Sequence, residues 1–318
     1  MPDKKSGQGS FVFTYRHDLH TVPGVAEEHE IKLHGGFAVD KRSGHGQIYY
    51  GMPGAGLLRI SPDLKRQDII DIPTDLKPIN FHSTKIAEFD GKMRLVMPAN
   101  GDAMVVVLTL DGELAFKLSR PEFEEYSNPA TAFNPTDTAI VGNSVYVADG
   151  YGANYISKAD VGKREWVSTF AGKTTDPTEP GKFGTAHGLN PAPDGKHLSI
   201  SDRPHSRFQL FSFDGEFKAQ YPIPPGSRPC GIDFLNWKGR DLALVGSLND
   251  PQEGRPAPIY ILDATTYEVL STIRPKDELG VELAQHIHNT VFYVHNDRLY
   301  LICQAWNPGY YFVLEHVV

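Results

Sequence analysis

A β-rich phrase recurs six times along this chain of 318 residues. Each copy starts with a short polar turn, continues as a strand, and is followed by a second loop and strand. The six copies are GQIYYGMPGAGLLRI (46–60), GKMRLVMPANGDAMVVVLTL (91–110), GNSVYVADGYGANYI (142–156), GKHLSISDRPHSRFQLFSF (195–213), GRDLALVGSLNDPQEGRPAPIYIL (239–262) and NDRLYLICQAWNPGYYFVL (296–314). Repeats of about 40–50 residues are typical of propellers. The pattern therefore predicts an all-β, six-bladed β-propeller that occupies residues 1–318 as a single domain.

The two ends of the chain predict how this ring closes. The last repeat ends in GYYFVLEHVV (309–318) without a following outer strand, and SFVFTYRH (10–17) precedes the first blade without a partner. If the N-terminal strand joins the last blade, both strands are paired and no open edge remains. Residues 1–9 are expected to be flexible. A pair of β-sandwiches is the alternative architecture.

Composition narrows the range of partners. The formal net charge is −8 with no basic cluster, which argues against nucleic acid and anionic membrane surfaces and favours a small-molecule substrate. The polar N-terminus has no apolar region after it, and no run of 18 apolar residues occurs, so we expect a cytoplasmic protein. Cys230 and Cys303 are expected to be reduced thiols, although two cysteines also allow one disulfide. The sequence leaves the oligomeric state open.

Three histidines occupy equivalent positions in alternate blades. Each repeat is preceded by a segment predicted to be its innermost strand. The first residues of these segments are Gly35, His82, Thr136, His187, Cys230 and His288. Equivalent positions on alternate blades lie about 120° apart around the axis of a six-bladed ring. The side chains of blades two, four and six should therefore converge, as three protein ligands do around a catalytic Zn²⁺.

Other interpretations of the histidines stay open. A single histidine at such a position is usually a core or solvated residue, and a three-imidazole site also accepts Fe, Co or Mn. His286 lies two residues before His288 on the same strand face, so it is an alternative ligand or a pocket residue. The remaining histidines considered show no such register and are predicted to lie outside the site: His34, His45, His205, His295 and His316.

Two stretches of the chain resemble peptidyl-α-hydroxyglycine α-amidating lyase (peptidylglycine amidating lyase). They are FNPTDTAIVGNSVYVADGYGANYI (133–156) and GKFGTAHGLNPAPDGKHLSISDRPHSRFQLFSFDGEF (181–217), and the likeness extends more weakly to FHSTKI and IHNTVF. The resemblance implies a six-bladed propeller of the NHL-repeat type with Zn²⁺ bound by three histidines. It implies that His82, His187 and His288 are the zinc ligands, that Tyr151 is the catalytic tyrosine, and that Arg203 is an active-site arginine.

The chain departs from that family at several positions. His286 stands where the family has methionine, and Gly152 replaces the cysteine after the catalytic tyrosine. Asn289 stands where the family has an aspartate used in a structural Ca²⁺ site, so bound calcium is not expected. A second family arginine has no match in the first blade, and Arg16 or Arg59 are the candidates to replace it. These departures favour related chemistry on a different substrate.

These observations predict a metal-dependent lyase of the zinc type that acts on a small oxygenated substrate. Tyr151 is the predicted base, with its pKa lowered by the cation and by Arg203, and Arg203 holds an anionic group or stabilises developing charge. The other residues expected to face the mouth are His286, Met52, Met97, Asn100, Asn249, Gln304 and Trp306. A zinc-dependent hydrolase or hydratase and a non-enzymatic, protein-binding propeller are the alternatives. Tyr151 could also serve as strand-end packing, and Arg203 as a surface ion-pair residue.

Overall fold

The computed structural model describes residues 4–89 and 91–317, and these residues are arranged mainly in short strands. In chain order the strands are β1 (Lys5–Gln8), β2 (Phe11–Tyr15), β3 (Ala38–Val39), β4 (Ile48–Met52), β5 (Gly56–Ile60), β6 (Gln67–Ile70), β7 (Lys85–Phe89), β8 (Lys92–Ala99), β9 (Met104–Thr109), β10 (Leu114–Ser119), β11 (Asp137–Val141), β12 (Ser144–Ala148), β13 (Tyr155–Asp160), β14 (Glu165–Ala171), β15 (Ala186–Pro191), β16 (His197–Asp202), β17 (Arg207–Ser212), β18 (Phe217–Pro222), β19 (Pro229–Trp237), β20 (Arg240–Ser247), β21 (Ile259–Asp263), β22 (Val269–Ile273), β23 (His286–His295), β24 (Arg298–Trp306) and β25 (Tyr310–Val317).

These strands form six antiparallel sheets, which confirms the six-bladed β-propeller. Five sheets contain four strands each, from β3–β6 in blade one to β19–β22 in blade five, and the sixth has the order β23-β24-β25-β2-β1. The first strands of successive blades contact one another around the ring, so they surround the axis. All six segments that the sequence predicted as innermost strands contribute to these positions.

Helical structure is confined to short segments between strands. The described residues contain one α-helix, α1 (Glu27–Glu30), and six 3₁₀ turns. The 3₁₀ turns are His17–Leu19, Gly24–Ala26, Thr74–Leu76, Asn100–Asp102, Glu124–Tyr126 and Arg203–His205. None of the helices within 4–89 and 91–317 has the length and apolar character needed to cross a bilayer.

The N-terminal strand closes the ring, as predicted. β2 pairs antiparallel with β25, from Val12 opposite Val317 to Tyr15 opposite Leu314. β1 then pairs with β2 as a fifth strand, so residues 5–8 of the segment expected to be flexible are part of the sheet, while residues 1–3 lie outside the described part. These residues are ordered because β1 also contacts blade five, where the main-chain N–H of Gln8 donates to the Ser271 hydroxyl.

Apolar side chains fill the spaces between neighbouring blades. Both faces of each blade are covered, so strands such as β4 are buried along their whole length. Tyr50 and Met52 on one face of β4 pack against blade six, whereas Tyr49 on the other face packs against blade two. Burial of apolar surface on both faces is what holds successive blades together.

Candidate functional site

The inner strands of three blades are interrupted at the same place. The antiparallel ladders skip the pairs 187–188, 230–231 and 288–289. A bulge of this kind leaves residues unpaired and redirects their side chains. His187, Cys230 and His288 begin these interruptions, and all three are buried at the axis. Gly188 allows the close approach of blades four and five here, since a Cβ atom on it would lie 2.1 Å from the carbonyl oxygen of Cys230.

The predicted triad converges on the axis. His82 lies three residues before the start of β7, and its ring centroid lies 4.8 Å from that of His187 and 4.6 Å from that of His288. The centroids of His187 and His288 are 4.9 Å apart. The Nδ1 atom of His82 lies 2.7 Å from the carbonyl oxygen of Thr136 in the next blade. This contact assigns the proton to Nδ1 and leaves the Nε2 lone pair free, as is usual for histidines that bind metals.

A fourth imidazole, which the sequence analysis placed outside the site, joins this cluster. The ring of His34 lies 4.4 Å from that of His82 and 4.3 Å from that of His288, measured between centroids. His34 directly precedes Gly35, the blade-one residue in the register used for the prediction. The signal was therefore present in the sequence, displaced by one residue.

The chemistry of the donor set fits a transition metal. Two groups of side chains have ligand atoms within 4.8 Å of one another, namely His34–His82–His288 and His187–Cys230–His288. The predicted triad is not itself one of these groups among the described residues, and the Tyr151 hydroxyl contacts Nε2 of both His82 and His187. The Nε2 atom of His288 is buried without a hydrogen-bond partner in the described structure. Neutral nitrogen and sulfur donors suit borderline and soft cations rather than Ca²⁺ or Mg²⁺.

Burial keeps these imidazoles neutral. Desolvation lowers the pKa of His82, His187 and His288 well below the usual value for histidine. The pKa of His34 is lowered to about 4, first by desolvation and then by the positive charge of Arg203. Neutral imidazole is the form that binds a metal ion, so the cluster is ready to bind one near pH 7.

Tyr151 lies in the loop after β12, at the position predicted for it. The Asp149 carboxylate accepts hydrogen bonds from the main-chain N–H groups of Asn134 (2.6 Å) and Ala153 (2.8 Å), which fixes this loop. The Tyr151 hydroxyl lies 3.3 Å from Nε2 of His82 and 3.1 Å from Nε2 of His187. The residue is 38 % exposed, so its hydroxyl contacts the buried histidines while its ring lines the mouth of the channel.

Arg203 follows β16 in the next blade and contacts the same hydroxyl. Its Nη1 atom donates to the Tyr151 hydroxyl at 3.0 Å, and its Nη2 atom donates to the Cys230 sulfur at 3.3 Å. The side chain is buried, and its Nε atom has no partner among the described residues. This geometry rules out the surface ion-pair alternative for Arg203. It also brings in Cys230, to which the sequence analysis gave no role in the site.

The pKa of the Tyr151 phenol is raised above its ordinary value. Desolvation is the main cause of the increase. The charge of Arg203 and its hydrogen bond lower the pKa, but by less than desolvation raises it. The sequence analysis expected the pKa of this phenol to fall. The expectation counted the positive charges of the cation and the guanidinium and did not include the effect of burial, which is the largest cause.

Five of the seven predicted pocket residues divide into two groups. Trp306 stacks on His34 with 5.2 Å between ring centroids, and Asn100 accepts a hydrogen bond from Asn80 beside the same histidine. Met52, Met97 and Gln304 are instead completely buried, the methionines in the cores between blades. Strand alternation turns these three side chains toward a neighbouring blade instead of the mouth.

Four further candidates lie outside the cluster. Asn249 is exposed, and His286 is held away from the histidines by a 2.7 Å contact between its Nδ1 and the Leu248 carbonyl oxygen. The two arginines suggested as a second active-site arginine are both engaged elsewhere. Arg16 pairs with Asp18 and Glu315, and Arg59 pairs with Asp68, so neither supplies that function.

A cavity of about 240 Å³ continues along the axis on the far side of the histidines from Tyr151. It starts at Ser83 and Asn289, which follow His82 and His288 in the chain. Its walls carry opposite charges, since Lys85 lies 3.4 Å from Asp137 and Lys41 lies 3.6 Å from Asp233. The histidines therefore separate a polar channel from the mouth.

Solved structures with the same fold include enzymes. No family model and no curated protein matches the chain. A gluconolactonase from Xanthomonas campestris is 13% identical, with a TM-score of 0.60 over 99% of this chain and 97% of that one. A catalytically inactive variant of virginiamycin B lyase from Staphylococcus aureus, solved with quinupristin, is 10% identical, with a TM-score of 0.57 over 99% and 100%. The Cps50 (Swd1) β-propeller domain of Myceliophteria thermophila is 10% identical, with a TM-score of 0.55 over 90% and 83%. Likeness at this level of identity establishes the propeller fold and leaves function to the site.

Proposed function

We propose that the protein is a metal-dependent lyase of the zinc type, which cleaves a small α-hydroxylated substrate with Tyr151 as the base. The observation that carries the proposal is the position of the Tyr151 hydroxyl, which lies within 3.3 Å of Nε2 of His82 and of His187 and of the Arg203 guanidinium. A phenol in hydrogen-bonding reach of three such groups is placed for proton transfer at the metal-binding centre. A residue that only packs a strand end does not need these contacts.

The proposed reaction is an elimination that requires one proton acceptor and one proton donor. Tyr151, as phenolate, takes the proton from the substrate hydroxyl, and the electron pair of that O–H bond forms the new carbonyl group. The bond from this carbon to the nitrogen breaks with its electron pair going to the nitrogen, and the nitrogen takes the proton now held by the Tyr151 hydroxyl to become an amide. In the resembling amidating lyases this cleavage of an α-hydroxyglycine gives an amide and glyoxylate.

The charge of the site favours an anionic substrate. His82, His187 and Cys230 are neutral near pH 7, and the charged side chain beside them is Arg203, which contacts Tyr151 and Cys230. The second nitrogen of the guanidinium fork lies against the Cys230 thiol, a weak acceptor that a substrate carboxylate can displace. Arg203 is therefore the group proposed to hold the carboxylate.

His82, His187 and His288 would hold the metal, as the unpartnered Nε2 of His288 indicates. When bound, a divalent cation would supply Lewis acidity to a substrate oxygen and a positive charge beside the Tyr151 phenol. The chain itself positions the proton acceptor and the anion-binding group.

We expect about one transition-metal ion per chain in protein prepared without chelator. Replacing His82, His187 or His288 with alanine should abolish stoichiometric binding, because each variant removes a buried nitrogen donor. Elemental analysis of the purified proteins measures this directly. The matched control is His286→Ala, two residues from His288 on the same strand, which should retain the metal. Wild-type protein without stoichiometric metal would rule out the proposed function.

Arg203→Lys should reduce kcat/KM by roughly 10–100-fold, because an ammonium group cannot reproduce the two-pronged contact with Tyr151 and the substrate. A rise in KM with unchanged kcat would show that Arg203 holds the carboxylate, and a fall in kcat would show that it acts on Tyr151. Steady-state kinetics on a panel of α-hydroxyglycine derivatives and hydroxy acids measures the difference. Arg228→Lys, an exposed arginine, is the control, and equal activity of the Arg203→Lys variant would contradict the assignment.

A zinc-dependent hydrolase or hydratase is the second candidate. The raised pKa of Tyr151 favours it, because a protonated phenol donates a hydrogen bond and does not act as a base. Reaction in H₂¹⁸O separates the two candidates. Hydrolysis or hydration incorporates ¹⁸O in the bond-breaking or bond-forming step, whereas elimination retains the substrate oxygen in the initial carbonyl product.

A further inference from the structure

The imidazole of His34 belongs to blade one and lies among the histidines of blades two and six. Its ring contacts those of His82 and His288, and the ligand atoms of these three residues lie within 4.8 Å of one another. His34 is in blade one, which is one of the three blades that supply no ligand in a triad built on alternate blades. From this juxtaposition we infer that His34 is a fourth ligand of the metal centre, an inference that rests on the proposed function.

Neighbouring residues hold the His34 ring in place. The Asn80 amide lies 3.0 Å from Nδ1 of His34, and the indole of Trp306 stacks on the ring at an interplanar angle of 28°. The residue before His34 is also fixed, since the Gln304 amide donates to the Leu33 carbonyl oxygen at 2.9 Å. A side chain restrained on its Nδ1 edge, on its face and at its backbone is preorganised for a ligand on the remaining edge.

In three of the four clustered histidines, Nδ1 contacts a polar group of a neighbouring residue. Nδ1 of His82 contacts the Thr136 carbonyl oxygen, Nδ1 of His34 contacts Asn80, and Nδ1 of His288 lies 2.9 Å from the Asn289 amide. The Asn80 amide nitrogen also donates to the side-chain oxygen of Asn100 at 3.2 Å, which holds Asn80 against the His34 ring. The His82 contact fixes the tautomer that leaves Nε2 free, and the contacts to His34 and His288 hold the orientation of those two rings, as outer residues do for metal-binding histidines.

A fourth imidazole changes which ion the site can use. Four protein ligands saturate a tetrahedral ion and leave no position for substrate, whereas a catalytic centre needs an open position. The ion in this site must therefore accept a fifth ligand, which Zn²⁺ and other first-row divalent ions with a preference for nitrogen donors can do. Such an ion can keep four imidazoles and still bind one substrate oxygen.

Metal affinity and ligand number test the inference. In His34→Ala we expect retained binding with affinity for Zn²⁺ reduced at least 10-fold in competition with a chelator, and an altered visible absorption spectrum of the Co²⁺-substituted protein. His45→Ala, a surface histidine beside Asp40, is the control and should match the wild type in both measurements. Unchanged affinity and an unchanged Co²⁺ spectrum in His34→Ala would overturn the inference.

X-ray absorption of the Zn²⁺-loaded wild-type protein tests the same point without a variant. Scattering from four imidazoles supports the assignment, and scattering from three overturns it, even if His34→Ala fails to fold. The outcomes also separate the two proposals. A wild-type protein that binds no metal fails the proposed function, whereas a metal bound by three imidazoles fails only the assignment of His34.

Discussion

Tyr151→Phe should lower turnover by roughly 100–10,000-fold, the usual contribution of a positioned proton-transfer group. The substitution removes one oxygen atom and keeps the ring that lines the mouth. It takes away the atom that contacts His82, His187 and Arg203, so it removes the proposed proton acceptor. Initial rates on the panel of α-hydroxyglycine derivatives and hydroxy acids provide the measurement.

Two further measurements separate a catalytic effect from a structural one. Metal content and the melting temperature of Tyr151→Phe should equal those of the wild type. The matched control is Tyr155→Phe, which makes the same chemical change four residues further along the chain, where no side-chain hydrogen bond of the hydroxyl is present in the described structure. A Tyr151→Phe protein with full metal and full activity would remove the base role and favour the hydrolase or hydratase.

The architecture could be predicted because one pattern repeats. Six copies of the same strand and turn phrase determine blade number, and the unpaired strands at the two ends determine closure. Residues 5–8 show the limit of this reasoning. Strand β1 is held by contacts with Ser271 and Thr272 of blade five, which are more than 260 residues away in the chain. Local sequence does not indicate such a contact.

The convergence of three histidines could be predicted from the repeat pattern, whereas the residues that surround them could not. Register in the repeat placed His82, His187 and His288 together, and the structure adds bulges that turn two of them toward the axis. His34 was missed because strict register selects Gly35, one residue later. The prediction that Met52 and Met97 face the mouth was wrong, because both side chains are buried in the cores between blades. Successive side chains of a strand point in opposite directions, and the repeat pattern does not indicate which of them point toward the mouth.

Deleting residues 1–18 should destabilise the whole ring by several kcal/mol. The deletion removes β2, leaves the edge of β25 unpaired, and uncovers the apolar cluster between blades five and six. Phe13 is completely buried in that cluster, so Phe13→Ala alone should cost about 3–5 kcal/mol. At about 2–4 °C per kcal/mol, this point variant should melt at least roughly 6 °C below the wild type.

Matched variants distinguish the loss of ring closure by β2 from a general effect of removing N-terminal residues. Val12→Ala alters the half-buried neighbour of Phe13 on the opposite face of β2 and should have a much smaller effect. Deleting residues 1–9 removes β1 but leaves β2 paired with β25. The decrease in melting temperature should therefore lie between that of Val12→Ala and that of the longer deletion. Because the six blades form one closed ring, thermal unfolding of the longer deletion should remain a single transition at lower temperature. A deletion of residues 1–18 that melts within a degree or two of the intact protein would show that β2 does not stabilise the ring.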